Sequence, residues 1–396
     1  MTEASATTRT VRRPRDRKEQ ILRTAAECFR RTGYHATSME QIAAAVGITA
    51  GALYRHFDGK QELLGQALLS GLDPLLRRIE TAQSVDDLIR TTAALVLDGR
   101  THTVLWEREI RNLTEQHRQE VRHKHEAAAT GFGAAIARER PELTAVEGEL
   151  LAWAVLGVLT SPSYHGAQLP RARFEELLGQ LASAVVWLAP FRTARPSRRP
   201  ANQSRPGLLP VSRREALLAA AIPLFVERGF QAVSMEDIGA AAGISRPTVY
   251  NHFSSKAELL TAALHRETEA AWHVLSWAIV RSSTPAQALT EMVRCYADSA
   301  VRRHGITGLL VSELPQLPAD RQRFFRRNQV EYVDEWTALL RSCRPELGGA
   351  ETRITIQAVF TLVNTVSRRP ALEACPDPAE VLIALGVAVL GTGHRP

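Results

Sequence analysis

Two short stretches of this 396-residue chain place side chains suited to reading base edges just behind a helix-start signal. In one, Ser245 precedes Arg246, Pro247 and Thr248, and Tyr250, Asn251 and His252 follow. A guanidinium at Arg246 can bond both acceptors of a guanine, and the Asn251 amide can do the same to an adenine if it reaches that far. The other stretch carries Thr49, Ala50, Gly51 and Ala52, then Tyr54, Arg55 and His56. Ala50 and Ala52 offer only small apolar contacts, for example to a thymine methyl. Facing a double helix, the two stretches would read different sequences.

They correspond because the chain is a duplication. YHATSMEQIAAAVGITAGALYRHFDGKQELL (34–64) aligns without gaps on FQAVSMEDIGAAAGISRPTVYNHFSSKAELL (230–260), offset by 196, with 16 of 31 positions identical. The helix ahead matches as well: Ile21, Ala25, Phe29 and Gly33 face Leu217, Ala221, Phe225 and Gly229. Arg140-Pro141-Glu142-Leu143 recurs as Arg344-Pro345-Glu346-Leu347 at an offset of 204, so the second copy has gained eight residues in between. A period near 200 is far too long for a solenoid. The chain is two homologous units joined by a Pro- and Arg-rich linker at 192–212, expected to be extended and semi-rigid.

Within each unit the periodicity is helical and strand signals are nearly absent. Ile21, Leu22, Ala25 and Phe29 form one stripe, with Gly33 as its C-terminal stop. Ser38 and Gln41 make a capping box for a second helix through Val46, ended by Gly47; Ser234, Asp237 and Gly243 repeat it. Thr49 and Ser245 cap a third helix, predicted through about His56 in the first copy, and Pro247 sits in the first turn, where no N–H is needed. Two short helices around a glycine turn make a helix-turn-helix, whose second helix enters the major groove by its N-terminal residues. Ile42, Ile48, Leu53 and Phe57, repeated as Ile238, Ile244, Val249 and Phe253, would hold it on helix one.

Charge supports a polyanion. Residues 191–214 carry seven arginines and no acid, matching the net +7 of the whole chain, and a second basic arm (1–18) opens the sequence. The bland alternative is a pair of solvated linkers. Only four lysines occur, yet Lys60 and Lys256 fall at equivalent positions. Each opens a fourth helix, where the N–H groups and dipole favour phosphate. Thr37, Ser38 and Ser234 could add phosphate bonds, although capping alone explains both serines.

The pattern Gly-[Tyr/Phe]-x-x-x-Ser-Met-x-x-Ile, then Gly-Ile-[Ser/Thr]-x-x-x-[Leu/Val]-Tyr-x-His-Phe-x-x-Lys-x-x-Leu, runs over Gly33–Leu63 and again over Gly229–Leu259. It resembles the TetR/AcrR transcriptional regulators, with Gly239 standing in the second copy where the first has Ala43. The resemblance implies phosphate contacts for Tyr54 and Tyr250 (the alternative is core packing with an exposed hydroxyl), dimerisation through the last two helices, and an effector pocket between head and bundle. Candidate pocket residues by position are Trp106, Trp153, Trp272, Trp277, Phe324 and Trp336. Family members usually carry one unit. Here Glu149–Thr160 and Phe174–Leu188 could close a four-helix bundle with Ile354–Val366 and Glu380–Leu390 inside one chain, favoured by the linker's effective concentration. The runner-up is a homodimer carrying four heads on a doubled palindrome.

Other classes find little support. Composition is ordinary for a globular protein, at 45% apolar and 23% charged. The four cysteines (Cys28, Cys295, Cys343, Cys375) form no CxxC pair, no apolar run reaches a membrane span's length, and no signal peptide is seen. No nucleophile elbow, phosphate loop or HExxH occurs. His123 and His125 splay apart on a helix and are expected to face solvent, as is His102; no metal or cofactor is expected. The expectation is thus an all-α, cytoplasmic, non-enzymatic regulator. It places DNA-binding heads at 19–64 and 213–260, effector and dimerisation regions at 65–191 and 261–396, and double-stranded DNA and a small effector as partners. A ligand-independent architectural DNA binder, or one head given over to a protein partner, are the alternatives.

Overall fold

The computed structural model describes residues 14–99, 102–191, 211–302 and 313–392. The expectations for the arm before residue 14, and for the linker over 192–210, lie outside them. Every regular element among the described residues is helical. The first unit comprises α1 (Pro14–Thr32), α2 (Met39–Val46), α3 (Ala50–Tyr54), α4 (Lys60–Thr81), α5 (Val85–Asp98), α6 (His102–Glu109), α7 (Glu115–Glu139), α8 (Ala145–Thr160) and α9 (Arg171–Val186). The second repeats it as α10 (Arg213–Arg228), α11 (Met235–Ala242), α12 (Arg246–His252), α13 (Lys256–Arg281), α14 (Pro285–Arg302), α15 (Ala319–Cys343) and α16 (Gly349–Val366), then a short α17 (Pro370–Glu373) and α18 (Pro378–Leu390). None is long and apolar enough to cross a membrane. The four extra residues of α13 over α4, about one helical turn, account for half of the second copy's gain.

The signals read from sequence act locally as expected. Ser38 and Gln41, and Ser234 and Asp237, form reciprocal capping boxes. Gly47 and Gly243 take the left-handed conformation that ends α2 and α11, at φ 76° and 67°. The third helix of the first unit is shorter than expected, stopping at Tyr54.

The two units close one core. Helix α8 is buried on all sides, from Leu150 to Leu159, and packs on α16, with α9 and α18 completing a four-helix bundle. A helix apolar all round must be enclosed. Gly157 permits the closest crossing, since a Cβ there would lie 2.8 Å from the Leu362 Cα. Arg173 of α9 pairs across the interface with Glu351 at 2.5 Å. The recurring Arg-Pro-Glu-Leu finds its reason here: Arg140 donates to the carbonyls of Val186 and Leu188, both at 2.6 Å, and Arg344 to that of Leu390 at 3.2 Å. Each arginine thereby caps the last helix of its own unit.

Gly157→Leu is expected to lower stability by about 1–3 kcal/mol through overpacking, read as a fall in the urea midpoint. Gly148→Ala in the same helix, where a Cβ would meet nothing within 4 Å, should hold or raise it.

Candidate nucleic-acid interface

Each head is three helices around a small core. Ile21, Ala25 and Phe29 of α1 bury Ile42, Leu53 and Phe57; Leu217, Ala221 and Phe225 of α10 do the same with Ile238, Val249 and Phe253. Gly239 stands where the first head has Ala43, and no Cβ fits there: it would sit 2.8 Å from the Ile244 carbonyl oxygen and 2.9 Å from Val249.

This packing leaves the starts of α3 and α12 outward. Thr49, Gly51, Arg55 and His56 are exposed and Ala50 and Ala52 half-buried, while Thr49 accepts the Ala52 N–H at 3.2 Å. In the second head Arg246, Pro247 and Asn251 are exposed, with Thr248 and His252 half-buried. Ser245 stands at the cap position, but its hydroxyl meets that of Thr248 at 3.0 Å. Tyr54 and Tyr250 are 50% and 43% exposed, so neither is a core residue. Arg246 pairs with Glu236 at 2.7 Å while 67% exposed. A surface pair of that kind is worth little, so the guanidinium is free to leave for a base.

Five expected phosphate ligands make contacts within the protein. Lys60 donates to the carbonyls of Tyr34 (2.8 Å) and Thr37 (2.9 Å), with its ammonium 4.3 Å from the centre of the Tyr34 ring. Lys256 does likewise to Phe230, Gln231 (3.3 Å) and Val233 (2.6 Å), and burial lowers its pKa. These lysines fasten the loop after the first helix onto the start of the fourth. Thr37 is 2% exposed and donates to the Gly33 carbonyl at 2.7 Å. Ser38 and Ser234 spend their side chains in the capping boxes.

The joint between heads and bodies is built from buried groups whose partners lie far along the chain. Glu109 is buried and accepts the Tyr34 N–H (3.3 Å) and the Asn112 amide (2.7 Å); desolvation raises its pKa. Glu313, its counterpart 204 residues on, accepts the Phe230 N–H at 3.3 Å. Arg108 donates to the Arg30 carbonyl at the end of α1, at 2.7 Å. Arg111 crosses to the second unit, donating to the Val226 carbonyl at 2.7 Å and pairing with Glu313 at 2.5 Å. Arg30 and Val226 are equivalent in the repeat, so one segment of the first unit holds the same point of both heads. The shared Glu-x-x-x-Leu at 109–113 and 313–317 was the signal available in the sequence.

Of the expected pocket residues, Trp106 and Trp153 line a cavity of about 1540 Å³ walled mainly by the first unit and closed by Val226, Arg228, Thr365, Arg368 and Arg369 of the second. Trp336 is fully buried among rings, Trp272 packs edge-on against Tyr332 at 5.8 Å, and Phe324 lies against His265 at 4.6 Å. Trp277 is 44% exposed beside Arg281. His125 does not face solvent: it stacks on Trp106 at 5.1 Å and lines the cavity, and burial lowers its pKa. His123 is exposed, and the side chain of His102 lies outside the described residues.

Two helix-turn-helix heads presenting exposed third helices define a DNA-binding protein. The family described as "Bacterial regulatory proteins, tetR family" matches residues 21–67 and 217–263. Both heads are thus similar to the DNA-binding region of the TetR family, carried twice in tandem along the chain. Similar curated proteins include the transcriptional activator FasR of Mycolicibacterium smegmatis, 44% identical over 21% of this chain and 38% of that one. The regulator TtgR of Pseudomonas putida is 36% identical over 24% and 50%. The repressor KstR2 of M. smegmatis is 27% identical over 35% and 71%. The chain thus spans half or less of the length of the first two. Among solved structures, a TetR-family regulator from Bordetella parapertussis is 17% identical over 46% of this chain and 95% of that one, TM-score 0.42.

If the lysines are fasteners, Lys60→Met and Lys256→Met should each destabilise the fold by about 1.5–3 kcal/mol. The slope of log affinity against log salt should stay unchanged. A slope smaller by about 1 would instead mark a phosphate contact.

Proposed function

We propose that this chain is a ligand-responsive repressor, acting on cytoplasmic DNA, whose two heads read unlike half-sites of one asymmetric operator. The observation that carries it is the closure of the four-helix bundle within one chain, which leaves two different recognition helices exposed. Each head then occurs once per molecule, and the half-sites stand about one helical turn apart, roughly 34–36 Å. Arg246 and Asn251 give the second head hydrogen-bonding readout, whereas the first relies on Arg55 and small apolar contacts. The basic segments add sequence-independent attraction, so binding falls steeply with salt.

Ligand response rests on the joint. The segment bearing Arg108 and Arg111 lines the first unit's cavity in part and touches both heads, so an occupant preferring a displaced segment shifts both together. The sign of regulation draws on KstR2, named a repressor, against FasR, named an activator.

The test begins with selection of binding sites from random duplexes by the purified full chain, with light scattering of the complex. One 43.6 kDa chain on an asymmetric site supports the proposal; two chains on a doubled palindrome overturn it. A reporter behind the selected site should be silenced by the chain. Arg246→Ala should cost about 1–3 kcal/mol and relax one half-site only. Equal weakening on every sequence would count against base readout by that residue.

A further inference from the structure

We propose that this chain has a single effector site, the cavity walled mainly by its first unit, that it takes an oxyanion carried on an apolar body, and that the corresponding site of the second unit is filled by the protein's own rings. The inference deepens the ligand-responsive reading and rests on it.

The repeat fixes which positions correspond. Ser84 caps α5 through the Asp87 N–H as Thr284 caps α14 through that of Gln287, an offset of 200. Arg140 ends α7 as Arg344 ends α15, an offset of 204 that continues through α8 and α16. Val96, Ala128, Leu156 and Thr160 all line the first unit's cavity. Their counterparts are Tyr296, Tyr332, Phe360 and Asn364. In the second unit these close on one another. Tyr296 lies 4.9 Å from Phe360, Trp336 lies 5.0 Å from Phe360 and 6.2 Å from Tyr332, and the Tyr296 hydroxyl donates to Asn364 at 3.1 Å. Burial pushes the Tyr332 phenol up to about 12. Three positions that are small or aliphatic in the first unit are aromatic in the second, where the rings fill the space and gain packing that an open pocket lacks.

The ligand class follows from the wall of the open cavity. Leu72, Leu95, Val96, Trp106 and Leu156 give it apolar sides. Arg368 and Arg369 enter it from the second unit. Arg368 is paired with Glu107 at 3.1 Å. Arg369 lies over the Trp153 ring at 4.0 Å and donates Nε to the Thr365 carbonyl at 3.3 Å, with no carboxylate in ion-pairing distance among the described residues. Desolvation, then the neighbouring Arg368, lower its pKa. Glu126 and Glu149 offset this only from beyond ion-pairing distance, so a largely desolvated guanidinium is left without a contact partner, and its planar fork fits a carboxylate, sulfonate or phosphate. Trp153 beneath it and the Trp106–His125 stack flank the apolar part of such a molecule.

Fluorescence titration of the full chain with 8-anilinonaphthalene-1-sulfonate tests this, with N-phenyl-1-naphthylamine as the same body lacking the anion. One sulfonate probe should bind per chain. Arg369→Gln should weaken it by about tenfold or more while changing the neutral probe by less than about twofold. The double variant Val96→Tyr, Ala128→Tyr, which installs the second unit's residues, should lose both probes. Should that variant misfold, Arg369→Gln at the cavity wall still decides, provided its melting curve matches the parent. Two probes per chain, or equal loss of both probes on Arg369→Gln, would overturn the inference. Binding as expected, but with the probe leaving DNA affinity untouched, would sink the ligand-responsive reading and not this site.

Discussion

The contact on which the rest of the molecule depends is α8 against α16. Neither helix has a solvent face to spare, and each is complete only when the other covers it. Burying a single leucine or valine is worth about 1.5–3 kcal/mol, and this interface buries several from each side, among them Leu151, Val155, Leu362 and Val363. In a protein of one unit per chain that surface must be found on a second molecule. Here it is covalently attached, so closure is an intramolecular event at high effective concentration.

Symmetry is therefore released. A homodimer repeats every residue twice, and any change in a head or a pocket appears on both sides. In this chain the halves share the scaffold and have diverged where they face outward or inward. One recognition helix begins with alanine and glycine, the other with arginine and proline. One body keeps an open cavity while the other is packed with rings. Even the bundle crossing is unequal, with Gly157 in one half where the other has Thr361.

What remains shared is the mechanical joint. Glu109 and Glu313 each hold the first N–H beyond the glycine that ends the head's first helix. Arg108 and Arg111 tie the equivalent carbonyls of both heads to one segment of the first unit. Any displacement of that segment would therefore be felt at the same point of both heads.

The sequence by itself determined what depends on near neighbours along the chain. The duplication, the capping boxes at Ser38 and Ser234, the left-handed glycines at 47 and 243 and the apolar stripes of α1 and α10 were legible, because partners three or four residues apart leave a periodic trace. The apolar faces of α8, α9, α16 and α18 also announced that something must cover them. Tertiary structure decided everything whose partner is remote. Lys60 stands at a helix start, where the local rule favours phosphate, yet carbonyls 23 and 26 residues earlier take two of its three N–H donors. His125 looked solvent-facing until α6 laid Trp106 upon it. Arg140 and Arg344 recur visibly, but the carbonyls they cap lie 46 residues on. Arg111 and Arg369 act across the two units, and no spacing within either one records that. Hydrogen bonds and burial between distant segments impose no period on the sequence, so only the folded arrangement discloses them.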